Sequence, residues 1–357
     1  MRHTESLYSV RLLAEQSIAA ESDLIQLHAR VNALGRRLGL DLLQCERVRL
    51  VAAEMATNQT KYAHGHGYIQ VWEVGGDSRA LDLFAMDWGS GISDLAAAMR
   101  DGRSSAGTLG KGLGAISRLS DCSDIFSLPG EQPARPWQGT AVWARFGAGA
   151  PNPLWAQTGL FTRAYQDGRC NGDLVALQRA DHGMRVLHLD ALGHGCPAET
   201  IASRALEAFD AGISAKEAIQ RIDRVLAEER RGAALALYDL DFTAGAVRSV
   251  GAGDLQASIL QGNGKQTVRL TPGVIGQVHG SLDLMDWVWP YGAFFMSASD
   301  GLRASWDLLS APGLLRRHPQ LIAYFMGQMA GRISDDKSLL LVRNSIGRGG
   351  DHDTGTG

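Results

Sequence analysis

The sequence lacks a long apolar run, and it contains only four cysteines in 357 residues. No stretch approaches the length that spans a membrane, and the N-terminal residues lack the apolar core of a signal peptide. The cysteines are scattered without the paired spacing of a zinc site, at Cys45, Cys122, Cys170 and Cys196. We therefore expect a cytoplasmic protein that does not insert into a membrane, and we interpret all four cysteines as free thiols.

The sequence also lacks a strong charge of either sign. Its formal net charge is −3, and lysine and arginine form no block. This gives no electrostatic basis for binding nucleic acid. The hydrophobic content of 45% is ordinary for a globular protein, and a chain of this length can form two domains that each bury a core.

A change in composition divides the chain near residues 147–156. The segment GAGAPNP, which begins at Gly147, is rich in small residues and proline, as linkers are, and it follows the strand-like run TAVWARF. The tail is rich in glycine and aspartate, which is typical of disorder. We predict a first domain, a linker, a second domain and a disordered tail at 1–147, 148–156, 157–344 and 345–357.

Hydrophobic periodicity predicts a mixture of helices and strands in both halves. Helices are expected at about 19–38 and 43–63, and the strands YIQVWEV, ALDLFAMD, DIFSL and TAVWARF follow them. In the second half, strands alternate with helical stretches at about 197–210 and 215–229. Helices followed by sequential strands favour an α+β fold in each half, with a sandwich in the first.

Three polar residues share one face of the second predicted helix. Glu54, Asn58 and Lys61 are separated by four and three positions, so they project from the same side. A carboxylate, an amide and an ammonium on one stripe could polarise a water, ligate Mg²⁺ and contact a phosphate. A solvated helix face would show the same pattern, and this alternative stays open for the motif alone.

A short motif with two glycines follows the apolar run ALDLFAM. Its carboxylate, Asp87, can accept a hydrogen bond from an exocyclic amine, and Gly89 and Gly91 let the backbone pass close to a flat ring. Taken alone, the motif is equally typical of a turn after a strand.

A second glycine-rich motif lies at residues 107–116, before a predicted helix. Its glycines would offer backbone N–H groups to an anion, and the helix dipole would assist them, at Gly110, Gly112 and Gly114. The motif is not a Walker loop, because no Lys-Ser/Thr pair opens the helix. By itself it is a weak signal for a phosphate.

In this order and spacing, the three motifs resemble the N, G1 and G2 boxes of the GHKL ATPase superfamily. Residues 7–146 are most similar to bacterial anti-sigma-factor serine kinases and related stress-switch kinases. The resemblance implies binding of ATP with Mg²⁺, with Glu54 as general base, Asn58 as Mg²⁺ ligand and Asp87 as the residue that reads adenine. It also implies that the three later glycines form a lid over the phosphates and that Thr140 lies near the adenine.

Aspartates recur at strand ends in the second half. Asp190 ends the run MRVLHLD, Asp300 follows AFFMSAS, and Asp335 and Asp336 precede KSLLLV. Carboxylates at strand ends can converge, and converging carboxylates repel one another unless a cation lies between them. A single aspartate at a strand end is more often a turn former or a helix cap, but the whole set indicates a hard divalent metal.

The order of these short Gly/Asp motifs resembles the metal-dependent 2C-type serine/threonine phosphatases. The bacterial branch with the sporulation stage II phosphatase and the stress-response feedback phosphatases is most similar, over residues 157–343. The resemblance implies an α-β-β-α sandwich and an enzyme in which two Mn²⁺ or Mg²⁺ ions activate a water for attack on phosphorus. The implied ligands, of which Asp190 and Asp300 are also catalytic, are Asp173, Asp190, Asp300, Asp335 and the backbone carbonyl of Ala191.

Several positions in this motif set stay open. Ala191 stands where the family usually has glycine, so its carbonyl can ligate a metal only if the backbone suits a residue with a Cβ. Either Asp335 or Asp336 faces the metal, and we favour Asp335. His194 is a general acid or a turn residue that shapes the site, and we favour the turn. Asp254, in the segment Gly-Ala-Gly-Asp, is interpreted as a turn residue.

The two resemblances together imply a protein-serine/threonine phosphatase behind an ATP-binding, kinase-like domain. The expected substrate is a phosphorylated STAS-domain anti-sigma antagonist in a partner-switching pathway, with a sigma factor or anti-sigma factor as a further partner. Two alternatives stay open: a bifunctional serine kinase/phosphatase on the same STAS protein, and a non-catalytic partner-binding switch. By analogy with relatives that dimerise, a homodimer is also expected.

Overall fold

The computed structural model describes residues 7–76, 79–99, 112–130, 137–147, 156–262, 264–302, 311, 313–332 and 334–345. Apart from one residue each, the predicted linker at 148–156 and tail at 345–357 lie outside these ranges, and both stay predictions. In the part of the chain that is described, no helix is long and apolar enough to cross a membrane.

The first unit is a five-stranded antiparallel sheet in the order β1-β2-β3-β5-β4. Its strands are β1 (Ser9–Ser17), β2 (Gly67–Gly75), β3 (Ala80–Asp87), β4 (Cys122–Leu128) and β5 (Gly139–Gly147). Its helices are α1 (Glu21–Arg37), α2 (Leu42–Tyr62), α3 (Leu95–Met99) and α4 (Gly112–Leu119). The long helices α1 and α2 match the predicted ones, and α2 begins at a capping box in which Asp41 and Gln44 exchange hydrogen bonds.

The second unit consists of two facing antiparallel sheets of five strands each, in the orders β13-β10-β9-β8-β7 and β12-β11-β14-β15-β6. The first of these sheets contains β7 (Asp173–Ala180), β8 (Gly183–Ala191), β9 (Ala233–Asp241), β10 (Ala246–Ala252) and β13 (Met285–Val288). The second contains β6 (Thr158–Arg163), β11 (Gln256–Gln261), β12 (Gly264–Val268), β14 (Phe294–Ala298) and β15 (Lys337–Arg343).

Helices cover both outer faces of this pair of sheets, so the second unit is the expected α-β-β-α sandwich. The helices α5 (Cys196–Ala208) and α6 (Ala215–Leu226) cover the β7–β8 side, as predicted. The helix α7 (Pro319–Met329) covers the other sheet, and it was not predicted from the sequence. Its sequence PQLIAYFMGQM is apolar almost throughout, because both of its sides are buried, so no helical period is visible.

The helix α7 also covers the first unit, on the sheet face that α1 and α2 leave open. Tyr324 of α7 stacks on Trp72 of β2 with 4.6 Å between ring centroids, and it contacts Phe84 of β3. On its other side, α7 lies so close to β6 that a Cβ on Gly327 would be 2.4 Å from the ring of Phe161. Besides the cores that each unit buries beneath its own helices, a third hydrophobic core therefore joins the two units.

A buried ion pair lies in the shared core. Asp82 of β3 has no solvent exposure, and it accepts two hydrogen bonds from the Arg145 guanidinium at 2.7 and 2.8 Å. It accepts two more from Trp143 Nε1 at 2.9 Å and from the Tyr324 hydroxyl at 3.1 Å. Because the last donor comes from α7, this carboxylate ties the first unit to the second.

Cys170 and Cys196 form a disulfide, so the expectation of four free thiols is wrong. Their Cα atoms are 4.8 Å apart, although the residues are separated by 26 positions. The β7–β8 hairpin and the start of α5 bring them together, and their spacing in the sequence gave no sign of this. Cys45 and Cys122 are free, as expected.

Candidate metal centre and nucleotide site

Four of the predicted metal-binding aspartates lie where the two sheets of the second unit end. Asp173 begins β7 and is the direct antiparallel partner of Asp190, near the end of β8. Their side chains are therefore neighbours on adjacent strands. Asp300 follows β14 and Asp335 precedes β15, and these two strands pair in the opposite sheet. Each sheet thus contributes two carboxylates to one place.

Burial and mutual repulsion disturb the ionisation of these carboxylates. Burial, reinforced by the charges of Asp173, Asp300 and Asp335, raises the pKa of Asp190 to about 9. Burial, with the charges of Asp336 and Asp335, raises the pKa of Asp173 to about 7, against the effect of the hydrogen bond from Ser338. Burial and the charge of Asp335 also raise the pKa of Asp300. Such a cluster holds its charged form only when a cation compensates it.

One oxygen of Asp173 gives a direct test of whether a metal fits here. Its Oδ2 accepts a hydrogen bond of 2.7 Å from Ser338 Oγ, whereas its Oδ1 is buried and has no hydrogen-bond partner among the described residues. A buried carboxylate oxygen without a partner is costly. Since oxygen ligands are those that Mn²⁺ and Mg²⁺ prefer, the donor set fits a hard divalent cation.

A buried histidine orients the serine that holds Asp173. His188 Nε2 lies 2.8 Å from Ser338 Oγ, and His188 Nδ1 lies 2.7 Å from Ser297 Oγ. Burial lowers the pKa of His188 to about 3, so the ring is neutral. Because Ser338 gives its only hydroxyl proton to Asp173, we assign the ring proton to Nε2. This chain of contacts was not predicted from the sequence.

Asp335 and Asp336 differ sharply in their surroundings. Both oxygens of Asp336 are occupied by backbone N–H groups, from Tyr165 at 2.7 Å and from Gly172 at 2.8 Å. Asp336 therefore anchors the turn that leads into Asp173, and Asp335 is left to face the other carboxylates. This geometry favours Asp335 as the ligand, as the sequence analysis did.

Glycine is required where the turn after Asp300 meets this segment. A Cβ on Gly301 would lie 1.8 Å from the backbone oxygen of Asp336. The glycine of the Ser-Asp-Gly motif thus allows the turn with Asp300 to lie close to the segment with Asp335, and both carboxylates belong to the cluster.

Ala191 is compatible with a residue that has a Cβ. It ends β8 with its side chain buried beneath α5, and it is not among the described non-glycine residues with positive φ. Its backbone N–H donates to Gly172 at 3.2 Å. The glycine usual in the family is therefore not needed at this position, and a carbonyl ligand stays a prediction.

Two further residues of the motif set lie beside the cluster. His194 is exposed, with its ring centroid 5.0 Å from that of Tyr165, which leaves both its proposed roles open. Asp254 is not only a turn residue, because its charge raises the pKa of both Asp190 and Asp300. It is a fifth carboxylate near the centre, and its place in the ordered motif set was the signal that could have shown this.

The nucleotide motifs of the first unit also come together. Glu54 and Asn58 project from α2 towards the start of α4, where a Cβ on Gly112 would lie 2.6 Å from Glu54 Oε1 and 3.9 Å from Asn58 Nδ2. Lys61 is exposed in the last turn of α2, and Gly114 is buried in α4. Gly110 lies outside the described residues, so its predicted role in the lid has no structural counterpart here.

Asp87 is held in place by backbone donors at the end of β3. Its Oδ1 accepts from the N–H groups of Gly89 at 2.9 Å and Thr140 at 3.0 Å, and burial raises its pKa. Gly91 has a φ of 69°, and a Cβ there would lie 2.3 Å from the backbone oxygen of Leu128. The second oxygen of Asp87 accepts no hydrogen bond from the described residues, so it can accept one from a ligand.

Comparison with known families agrees with the geometry of both halves. Residues 18–144 match the histidine kinase-like ATPase domain, and residues 180–344 match Stage II sporulation protein E. The serine/threonine-protein kinase RsbT of Bacillus subtilis is 32% identical over 115 residues, which are 32% of this chain and 86% of that protein. The chain belongs to the histidine kinase-like ATPase family and carries a SpoIIE-type domain behind it.

Solved structures resemble about half of the chain each. One of them comes from the bacterial stressosome, a modular system that has been adapted to control secondary messenger signaling. It is 25% identical with a TM-score of 0.48, and the match covers 52% of this chain and 98% of that chain. The RsbU and RsbW domains of a Mycobacterium tuberculosis protein are 20% identical with a TM-score of 0.44, over 53% of this chain and 60% of that one.

Two residues of the kinase-like ATPase domain support the candidate nucleotide site, although the sequence did not indicate them. Trp137 Nε1 donates to the backbone oxygen of Asp87 at 3.0 Å, and its ring packs on Phe325 of α7. Gln59 is buried, and its side-chain amide donates to the backbone oxygens of Tyr68 and Met86 at 2.9 and 3.2 Å. It therefore fixes α2, with Glu54 and Asn58, on the sheet.

Proposed function

We propose that this protein is a metal-dependent protein-serine/threonine phosphatase whose first unit binds ATP. The observation that carries the proposal is the cluster of mutually repelling carboxylates, in which a buried Asp173 oxygen lacks a partner. Two Mn²⁺ or Mg²⁺ ions would be held by Asp173, Asp190, Asp300 and Asp335, with the carbonyl of Ala191 as a further ligand. When bound, such ions supply a water of lowered pKa and neutralise the phosphoryl oxygens.

The residues of the chain keep this centre in one arrangement. Ser338 fixes one oxygen of Asp173 and leaves the other for a ligand, and Asp336 anchors the adjoining turn. The antiparallel pairing of Asp173 with Asp190 sets the distance between two ligands before a metal arrives. Such preorganisation lowers the cost of bringing like charges together at the moment of reaction.

An open cleft beside the centre offers a route for a protein substrate. It has a volume of about 930 Å³, lies between the two units, and includes Asn171 and Asp173 in its wall. Exposed Arg79 and Arg169 also line it, and such side chains attract a phosphorylated segment. We infer that the substrate is a phosphorylated STAS-domain protein, since the kinase-like unit is similar to the serine/threonine-protein kinase RsbT and precedes the SpoIIE-type domain in the same chain.

Release of phosphate from a phosphorylated STAS protein tests this function. We expect Mn²⁺-dependent release by the full chain, and we expect its loss in Asp190→Ala and Asp300→Ala. Asp286→Ala is the matched control, because Asp286 is an exposed aspartate paired with Arg248. Intact metal binding without hydrolysis of the STAS protein or of p-nitrophenyl phosphate would refute the phosphatase.

A bifunctional kinase/phosphatase is the second candidate. It is favoured by the position of Glu54 and Asn58 beside the start of α4, where a Cβ on Gly112 would lie 2.6 Å from Glu54 Oε1. In this case ATP with Mg²⁺, bound through Asn58, Lys61 and Asp87, would transfer its γ-phosphate to the same STAS protein with Glu54 as general base. Transfer of labelled phosphate should vanish in Glu54→Ala and persist in Glu46→Ala, on the exposed side of the same helix. Binding of ATP without transfer would identify it as a ligand only.

A non-catalytic switch is the remaining alternative. It requires that a sigma factor or anti-sigma factor binds with an affinity that no aspartate substitution changes. Sedimentation of the full chain, alone and with such a partner, would test both this alternative and the expected homodimer.

A further inference from the structure

The disulfide joins the two segments that carry the paired aspartates of the metal centre. Cys170 precedes Asp173 by three residues, and Cys196 follows Asp190 by six and begins α5. Between them, Gly172 packs so closely on α5 that a Cβ would lie 2.7 Å from the Cβ of Ala198. The bond therefore lies across the junction where the turn into β7 meets the loop after β8.

The two cysteines are also placed for exchange with an external reagent. Cys196 is exposed and Cys170 is half-buried. Cys196 is the first residue of a helix of 13 residues, where the helix dipole favours a thiolate over a thiol. Cys45 is the opposite case, since it is 4% exposed and burial raises the pKa of its thiol. The protein thus contains a reactive pair and an inert cysteine for comparison.

We propose that Cys170 and Cys196 form a reversible thiol–disulfide exchange site that controls metal binding at the phosphatase centre. The partner reagent is a low-molecular-weight disulfide or a dithiol protein of the thioredoxin class. The control of the enzyme rests on the proposed phosphatase function, whereas the exchange and its effect on metal binding do not. A redox-sensing pair is also the form in which a disulfide occurs in a reducing compartment.

The exchange balances without a further reactant. The Cys196 thiolate attacks one sulfur of the external disulfide, whose S–S bond breaks, and the first external thiolate leaves and takes up a proton. The Cys170 thiolate then attacks the sulfur of Cys196 in the mixed disulfide and expels the second external thiol. The two cysteines lose two electrons and two protons, which end on the two thiols of the reagent. Reduction by a dithiol is the reverse.

Oxidation should strengthen metal binding. The bond restrains the turn that bears Asp173 against the loop that follows Asp190, so the ligands repel one another in a fixed arrangement. Reduction removes this restraint on the turn before Asp173 and on the loop after Asp190, so the two ligands, whose strands stay paired, are held less rigidly against their mutual repulsion. We expect the dissociation constant for Mn²⁺ to rise about tenfold on reduction, the scale seen when groups that orient metal ligands are lost.

The test uses the full chain, equilibrated in glutathione buffers of defined thiol/disulfide ratio. Alkylation followed by mass spectrometry should show a Cys170–Cys196 disulfide that forms and breaks across the series. Calorimetry with Mn²⁺ alone should show weaker binding by the reduced protein. The double variant Cys170→Ser/Cys196→Ser should bind Mn²⁺ like the reduced wild type in every buffer, and Cys45→Ser/Cys122→Ser should behave as the wild type.

Several outcomes would overturn the inference. The first is the absence of the disulfide at every thiol/disulfide ratio. The second is equal Mn²⁺ binding by the oxidised and the reduced wild-type protein, and this comparison does not depend on whether a variant folds. Stoichiometric zinc in the reduced protein would also overturn it, because Cys170, Cys196 and Glu199 would then be a ligand set. Redox-dependent Mn²⁺ binding without hydrolysis would support the exchange site and refute the phosphatase. Hydrolysis with Mn²⁺ binding that does not depend on the redox state would support the phosphatase and refute the exchange site as its control.

Discussion

The two candidate sites differ in the hydrogen-bond partners and the neighbouring charges of their carboxylates. In the first unit, Asp87 is held by two backbone N–H groups and offers one remaining oxygen. In the second unit, Asp173 and Asp190 face each other and further carboxylates, and the pKa of Asp190 is raised to about 9. The remaining oxygen of Asp87 can accept a hydrogen bond from an organic donor. The clustered carboxylates of the second unit repel one another unless a cation compensates their charge.

The same comparison extends to how the two units are built. Each site lies where strands end, but the units are not independent bodies, because α7 packs on both. The strand β3 is buried on both faces, which explains why ALDLFAM is apolar at nearly every position. The difference between the sites therefore arises from local polar contacts, while the stability of both depends on one core.

The largest expected effect comes from breaking the shared core. Asp82→Ala leaves Arg145 buried without its partner and removes an acceptor of the Tyr324 hydroxyl. We expect a loss of about 3–5 kcal/mol in the free energy of unfolding, and a single transition for both units in urea. Asp286→Ala, which removes an exposed ion pair, should cost less than about 1 kcal/mol. Two separate transitions would show that the units are independent.

The next effect separates the two sites. Asp190→Asn should lower Mn²⁺-dependent hydrolysis of p-nitrophenyl phosphate by about 10²-fold or more, on the scale of losing one group that stabilises charge in the transition state. Asp87→Asn should leave this hydrolysis unchanged and weaken binding of an ATP analogue. If Asp87→Asn lowered hydrolysis as much as Asp190→Asn does, the sites would be one coupled centre.

The third effect is a pH dependence confined to the metal-free protein. A carboxyl whose pKa is raised by folding binds more protons in the folded state, so its contribution to stability is lost as pH rises. For Asp190 this loss runs from its unfolded pKa of ~4 up to about 9 in the folded protein. Below pH ~6.5 it is opposed by His188, because the buried neutral ring gains stability as its unfolded form loses its proton. Melting temperatures without metal should therefore fall between about pH 7 and pH 9, and Mn²⁺ should raise them most at the upper end. An increase with pH over this window in the metal-free protein would contradict the assigned repulsion.

The smallest effect concerns the buried histidine. His188→Leu removes the donor to Ser338, and we expect the dissociation constant for Mn²⁺ to rise about tenfold because Asp173 loses its orientation. His188→Gln keeps a donor and an acceptor and should restore most of the affinity. Exposed His182→Leu is the control. Unchanged Mn²⁺ binding by a folded His188→Leu protein would remove the histidine from the centre.

Much of the site could be predicted because its residues stand in ordered motifs. Asp190 and Asp300 follow recognisable strands, and Glu54 and Asn58 have helical spacing, so the elements place them without long-range information. Trp137, His188 and Asp336 could not be assigned in this way. They act through contacts with residues distant in the sequence, and a single tryptophan, histidine or aspartate in an apolar run has many other uses.

The sequence by itself determined the α+β fold of each half, the long helices α1 and α2, and the order of the carboxylate and glycine motifs. These depend on local periodicity and short spacings, which a linear chain displays. The tertiary structure alone decided that α7 joins the two units, that Asp336 anchors a turn while Asp335 faces the cluster, and that Cys170 meets Cys196. Such pairings depend on how sheets and helices pack, because packing brings together residues that are distant in the sequence and share no motif.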